Sequence, residues 1–313
     1  MRRAALALVI VAAALASARA CADTYFLTVA GLGGEPDYER RFGELAANLD
    51  RIWKGTGAAS HVYTLSGPGA TRAEIVRTLE EIAAQAHPDD DFVLVLIGHG
   101  SDDGVQYKLN LPGPDLSARA LAALCDRIQT ARQLIVNTTS ASGGSVAALA
   151  HRGRAVIAAT KSGTEKNATV FARFFVDALE DPTADVDKNQ AVTALEAFEY
   201  ASAKTAAFFA SQKRLATEHA VFEDRGRGPA VRAVSESSEE GRLLASLVLT
   251  RFGTGSVLAA DPAKRALLAQ KQQLEQRIDE LKYRRAAMPA EDYKRALTEA
   301  LVALAKVEQE LDR

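Results

Sequence analysis

Cysteine is scarce: the 313-residue chain holds only Cys21 and Cys125. That excludes a disulfide framework, so the fold has to be held by its apolar core. Charge of one sign is lacking too. Lys and Arg number 38 against 40 Asp and Glu, for a net charge of -2, so nothing overall favours nucleic acid or an anionic membrane. A transmembrane anchor needs roughly 20 apolar residues, and no run of that length is present. A dinucleotide fingerprint is also missing. The loop Gly31-Leu32-Gly33-Gly34-Glu35-Pro36 has Pro36 where G-x-G-x-x-G ends on glycine. It reads instead as a tight turn whose glycines clear room over a sheet end.

What is present begins with an N-terminal signal. Arg2 and Arg3 precede an Ala/Leu/Val run to about Ala16, and A-x-A sites follow at Ala18–Ala20 and Ala20–Ala22. Basic, apolar and cleavable segments in that order predict a secretory signal peptide over residues 1–22. The mature chain is expected to be exported, most plainly to a periplasm, with no transmembrane span after processing. Cleavage after Ala22 removes Cys21, and cleavage after Ala20 leaves it. Ala18 stands where a lipoprotein signal usually has Leu, so lipidation is not expected.

The centre of the chain is Asp91–Gly104. Phe92 to Ile97 are apolar without a break, and Gly98-His99-Gly100-Ser101-Asp102-Asp103-Gly104 follows at once. Such a run predicts a strand buried on both faces of a parallel sheet. In open α/β sheets the chemistry lies beyond the carboxyl ends of the strands, where His99 stands. Strands are also predicted over 25–30, 61–65, 133–137 and 155–160. Helices are predicted over 37–54, 71–86, 116–129, 146–151, 169–180 and 193–213. This alternation predicts an α/β domain with a mostly parallel central sheet over residues 23–225. Residues 226–261 read as a linker and docking segment. Residues 262–313 keep three-four apolar spacing, broken at Met288-Pro289, and predict a helical hairpin or coiled coil. Self-association through those helices is one expected role.

The strand ends collect the candidate chemistry. One offers His99 and another Ser140 and Ser142. A His and a Ser at neighbouring strand ends are placed as base and nucleophile. Glycines after Ser142 would offer backbone N–H groups to an oxyanion. An acidic loop supplies a second candidate. Asp185, Asp187, Asn189, Thr193 and Glu196 fall at positions 1, 3, 5, 9 and 12 of an EF-hand-like loop. Oxygen ligands at that spacing suit Ca²⁺. Position 6 is Gln190 where glycine is wanted, and position 7 gives only the Ala191 carbonyl. The same residues also read as an acidic N-terminus for the helix that follows.

The ordered set of motifs resembles the caspase/legumain clan of cysteine peptidases. Gly98-His99-Gly100 after one strand matches the clan's base and its glycine. Thr138-Thr139-Ser140-Ala141-Ser142-Gly143 after the next matches the nucleophile segment. Ala158–Gly163 resembles the strand end beside the specificity pocket. The likeness covers roughly residues 24–225. It implies a caspase/legumain-like sandwich, with His99 as base, Gly100 and Gly143 at the oxyanion cleft, and Arg40 and Lys161 near the pocket.

The departure is at the nucleophile, where Ser140 stands in place of the clan's Cys. A serine hydroxyl is a weaker nucleophile and needs a well-aligned base. Asp102 and Asp103 are the nearby acids that would orient His99. The expectation is an exported, peptidase-related protein, proteolytically weak or inactive, binding a peptide or protein ligand at the former cleft. No cofactor is required by that reading. The alternatives are a serine-type hydrolase using Ser140 and His99, and an envelope scaffold working through the C-terminal helices.

Overall fold

The computed structural model describes residues 22–56, 60–235, 239–253, 261–285 and 288–311. All but the last residue of the expected signal peptide lie outside them.

The chain opens with β1 (Thr24–Ala30), α1 (Pro36–Lys54), β2 (Ser60–Leu65), α2 (Arg72–Gln85) and β3 (Asp91–Ile97). A small antiparallel sheet follows, made of β4 (Gly100–Asp102), β5 (Tyr107–Leu109) and β6 (Leu116–Ser117). Next come α3 (Ala118–Cys125), β7 (Arg132–Asn137), α4 (Val146–Leu149), β8 (Arg154–Ala158) and α5 (Phe171–Ala178). Then follow β9 (Ala191–Thr193), α6 (Ala194–Ser211), β10 (Val221–Glu223), α7 (Arg242–Ser246) and β11 (Val248–Arg251). The chain closes with α8 (Pro262–Arg284) and α9 (Ala290–Leu311).

The central sheet has the order β10-β8-β7-β3-β1-β2. Its strands are parallel except β10, which runs antiparallel to β8. All seven residues of β3 are buried, as its unbroken apolar run requires. Val93, Val95 and Ile97 face one core with α1, α5 and α6. Phe92, Leu94 and Leu96 face the other with α2 and α3. The alternation is the period of two of an extended chain.

This order contains a topological switch. From β1 the chain moves outward to β2, then returns to β3 on the opposite side of β1. Crossovers leaving adjacent strands in opposite directions open a crevice outside their carboxyl ends. The Gly-rich loop after β1 closes onto that end, because the Gly31 N–H donates to the Ile97 carbonyl at 2.8 Å. Glu39 in the first turn of α1 accepts from the Gly33 N–H at 2.9 Å and the Gly34 N–H at 3.2 Å. A Cβ at Gly33 would lie 2.5 Å from the Glu39 nitrogen, so glycine is needed there.

Helix starts differ by a residue or two from expectation. α1 begins at Pro36 with Glu35 as cap, not Asp37, since Pro at the first helical position has no N–H to satisfy. The stretch expected as helix over 116–129 first spends Leu116–Ser117 on a strand and turns helical at Ala118, capped by Ser117. The described residues within 226–261 include α7 and β11. β11 pairs antiparallel with β9 and seals the edge of the acidic loop. α8 and α9 pack on each other through Leu268, Val307 and Leu311 and through Ile278, Leu281 and Ala300. No helix among the described residues is long and apolar enough to cross a membrane.

Candidate functional site

His99 follows Gly98, whose φ of 145° lies where an L side chain is strained. The chain bends there, out of β3 and into the crevice. The His99 ring meets Tyr38 edge-on at 4.7 Å and Phe42 at 5.3 Å, both from α1. Burial pushes its pKa below 6.5, opposed by the Gly33 backbone and by the charges of Glu35 and Glu39. The ring is therefore mostly neutral at pH 7.

A cavity of about 340 Å³ opens beside it, within the range of ordinary ligand sites. Tyr38, Phe42, Leu45, Val170, Phe174 and Phe208 supply apolar wall. Arg41 and Arg173 line it too, and both are exposed at its rim. The cavity lies at the carboxyl ends of β3 and β7, lined there by Ile97, Gly98, His99 and Thr138, beside the switch point between β1 and β3.

Ser140 sits one strand over, beyond β7, and is nearly fully buried. Its hydroxyl donates to the Gly100 carbonyl at 3.0 Å and accepts from the Gly100 N–H at 3.1 Å. No hydrogen bond joins it to His99 among the described residues. Gly100 has no alternative residue type. A Cβ there would meet the Tyr107 ring at 2.5 Å and the Ser140 carbonyl oxygen at 2.6 Å. Ala141 takes the left-handed conformation, with φ 56°, which costs an ordinary residue about 1–2 kcal/mol. The surrounding bonds hold it there.

Those bonds occupy the turn. The Ala141 N–H donates to the Glu165 carbonyl at 2.8 Å. The Gly143 N–H donates to Thr160 Oγ1 at 2.9 Å, so the expected oxyanion donor is already spent. Ser142 Oγ accepts from the Thr160 N–H. Below them Asn137 Oδ1 accepts from Thr139 and Tyr107 while its amide donates to Ser145 Oγ. Asp102 packs against Gly144 and Gly163, where an added Cβ would fall 2.0 Å and 2.4 Å from its carboxylate. Asp103 accepts from the Val105 and Gln106 N–H groups. Neither acid is bonded to His99.

Of the expected pocket residues, Arg40 points away. It pairs with Asp37 at 3.0 Å on the wet face of α1, and its neighbour Arg41 reaches the cavity. Lys161 also lies outside the cavity lining, 3.7 Å from Glu165. The loop 161–170 is fastened from several sides. Glu165 holds the Lys161 N–H and the His219 ring. Buried Glu218 accepts from the Val170 and Phe171 N–H groups at the start of α5. Burial, with Glu165 adding, raises the Glu218 pKa to about 7 against the pull of those two N–H groups.

The acidic loop brings carboxylate oxygens of Asp185, Asp187 and Glu196 within 4.8 Å of one another. Gln190 adopts φ 66°, the left-handed geometry for which glycine is the usual choice at position 6. Thr193 and Glu196 form a capping box on α6. Asn189 donates its amide to Asp187 Oδ2 at 2.9 Å. The Asp187 pKa rises to about 6, from burial first and then from Glu196 and Asp185.

Arg41 follows the Gly-rich loop beside Arg40, where the resemblance implies a pocket arginine, while Tyr38, Phe42, Arg173 and Glu218 were not singled out as site residues by sequence. The i, i+4 aromatic pair flanking Arg41 on α1 was the available signal, and it is also what an ordinary amphipathic helix shows.

No family model matches the chain, and no curated protein matches it. Similar solved structures exist. The Drosophila initiator caspase Dronc is 12% identical, covering 67% of this chain and 82% of its own, with a TM-score of 0.45. Caspase-1 from Spodoptera frugiperda is also 12% identical, covering 69% and 91%, with a TM-score of 0.45. Protein GSU0716 from Geobacter sulfurreducens is 15% identical, covering 58% and 88%, with a TM-score of 0.42.

Proposed function

We propose that the chain is an exported protein of caspase/legumain-like fold that binds a peptide or protein segment at the cavity outside β3 and β7 and cleaves it poorly or not at all. One observation carries this reading. The Ser140 hydroxyl is bonded both ways to the Gly100 backbone, while the neighbouring cavity stands open. A hydroxyl is activated when a base takes its proton, and here the hydroxyl donates to the Gly100 carbonyl instead. The Arg2-Arg3 signal pattern supports export. The test is a fluorophosphonate probe followed by intact mass spectrometry. Folded protein is expected to stay unlabelled, and a single adduct on Ser140 would overturn the reading.

The serine hydrolase alternative rests on the Gly100 N–H aimed at Ser140 Oγ and on the left-handed Ala141 that follows. It requires the hydroxyl to turn from the Gly100 carbonyl to His99. The same probe separates the two. Self-association through α8 and α9 rests on Leu301 and Val302, which are 47% and 51% exposed on α9. Deleting residues 262–313 is expected to change the sedimentation behaviour if it occurs.

Ca²⁺ at Asp185, Asp187, Asn189, Thr193 and Glu196 is a separate proposal. The donors are all oxygen, and the backbone already takes the turn that position 6 demands. A bound cation would offset the burial and, after it, the repulsion from Glu196 and Asp185 that together lift the Asp187 pKa. Calorimetry with Ca²⁺ is expected to show binding that Asp187→Ala removes. Flat traces for both proteins would reject it.

A further inference from the structure

The cavity beside His99 has a chemical bias of its own. Its wall is aromatic and aliphatic, and among the described residues its two charged lining residues are both arginines and no carboxylate lines it. The Arg41 guanidinium lies over the Tyr38 ring at 5.0 Å and is paired with no carboxylate among the described residues. The Arg173 guanidinium lies over the Phe174 ring at 5.4 Å, with Asp177 only at 3.7 Å. Stacking on a ring fixes a guanidinium's plane while leaving its N–H edge free for an anion. The volume of about 340 Å³ exceeds what a short acidic side chain would fill. An apolar body with an anionic group at the mouth satisfies both halves.

We propose that this cavity takes the C-terminal residue of a peptide whose last side chain is large and apolar or aromatic, with the free carboxylate held at the rim by Arg41 and Arg173. This deepens the binding reading above and rests on it. Tyr38, Phe42 and Phe208 receive the side chain. The half-buried His99 lines the same cavity, so the ligand lies next to the strand end. A C-terminal residue presents no peptide bond beyond its carboxylate, which fits a cavity that Ser140, engaged with the Gly100 carbonyl, does not line.

The test uses the mature chain and calorimetry with three peptides: acetyl-Ala-Ala-Phe as the free acid, the same peptide as its amide, and acetyl-Ala-Ala-Asp amide. The amides lose the charge-assisted hydrogen bonds that the carboxylate makes, so the acid is expected to bind about tenfold or more tighter than either amide. The acid-to-amide ratio is expected to collapse toward one in Arg41→Gln/Arg173→Gln. Ala168→Trp, at an exposed position of the lining, is expected to block all three. Equal binding of all three peptides would overturn the C-terminal specificity and leave the binding reading standing. Tighter binding of the Asp amide would likewise overturn it in favour of an internal acidic side chain. Binding of 3-phenylpropionate as tight as the free acid would overturn a peptide ligand in favour of a small carboxylate. Cleavage of either amide peptide would overturn the non-cleaving reading while the affinities still judged the specificity. Absence of binding by folded protein would overturn both.

Discussion

The ends of β3 and β7 are adjacent in one sheet, yet they are built in opposite ways. Beyond β3, His99 sits half-exposed against two rings at the edge of an open cavity. Beyond β7, Ser140 is buried in a turn where the flanking N–H and hydroxyl groups already have partners. A site that binds needs space and a few unspent polar groups. A turn that holds a left-handed alanine needs every bond it can make. The first arrangement has the features of a recognition site and the second those of a rigid turn, so residues that look like a dyad in sequence sit in differently built surroundings.

The contrast breaks most visibly at the glycines. A Cβ at Gly143 would lie 2.2 Å from the Ser162 nitrogen, with only backbone to move. Gly143→Ala is expected to destabilise the fold by about 3 kcal/mol or more, read by urea unfolding. At Gly34, in the loop between β1 and α1, nothing lies within 4 Å and only the φ of 78° opposes a side chain. Gly34→Ala is expected to cost about 1–2 kcal/mol. Equal costs would erase the distinction between the packed end and the open one.

The next effect is in pH. The folded Glu218 carboxyl titrates near 7, above its usual 4.5. The folded chain therefore holds a proton that the unfolded chain has already released in that window. Its contribution to stability falls as pH rises from about 4.5 to 7 and is level on either side. Glu218→Gln is expected to flatten that part of the melting-temperature profile and to raise stability at pH 8 relative to wild type. An unchanged slope would mean that the loop 161–170 is not held through this group.

Ser140→Ala leaves the Gly100 N–H and carbonyl without their side-chain partner. A loss of about 1 kcal/mol is expected, with no loss of peptide affinity. Smallest in free energy is Phe42→Ala, on a half-buried residue whose ring covers His99. It is expected to raise the His99 pKa toward 6.5, because burial is what depresses it. An NMR titration of the ring reads the shift, and a fall in pKa would show that charge rather than burial sets it.

The architecture was legible because β3 and its neighbours are continuous apolar runs separated by amphipathic helices. That pattern depends on local periodicity alone. The motifs that placed His99 and Ser140 at strand ends were equally local. Their relation was not, since it depends on which way Gly98 turns one ring and which backbone captures one hydroxyl. Arg40 and Arg41 show the same limit. They are adjacent in sequence, but only the rotation of α1 decides which faces the cavity, and it is Arg41. Glu218 reaches the start of α5 across 48 positions, a contact that no periodicity encodes.

The central claim, a cleft that binds without cutting, is tested most directly by equilibrium capture of a random peptide library on the chain from residue 23 onward, with mass spectrometry of what is retained. The expected result is intact peptides enriched for apolar or aromatic C-terminal residues. Retained or released fragments cut at one preferred residue, lost on Ser140→Ala, would contradict it.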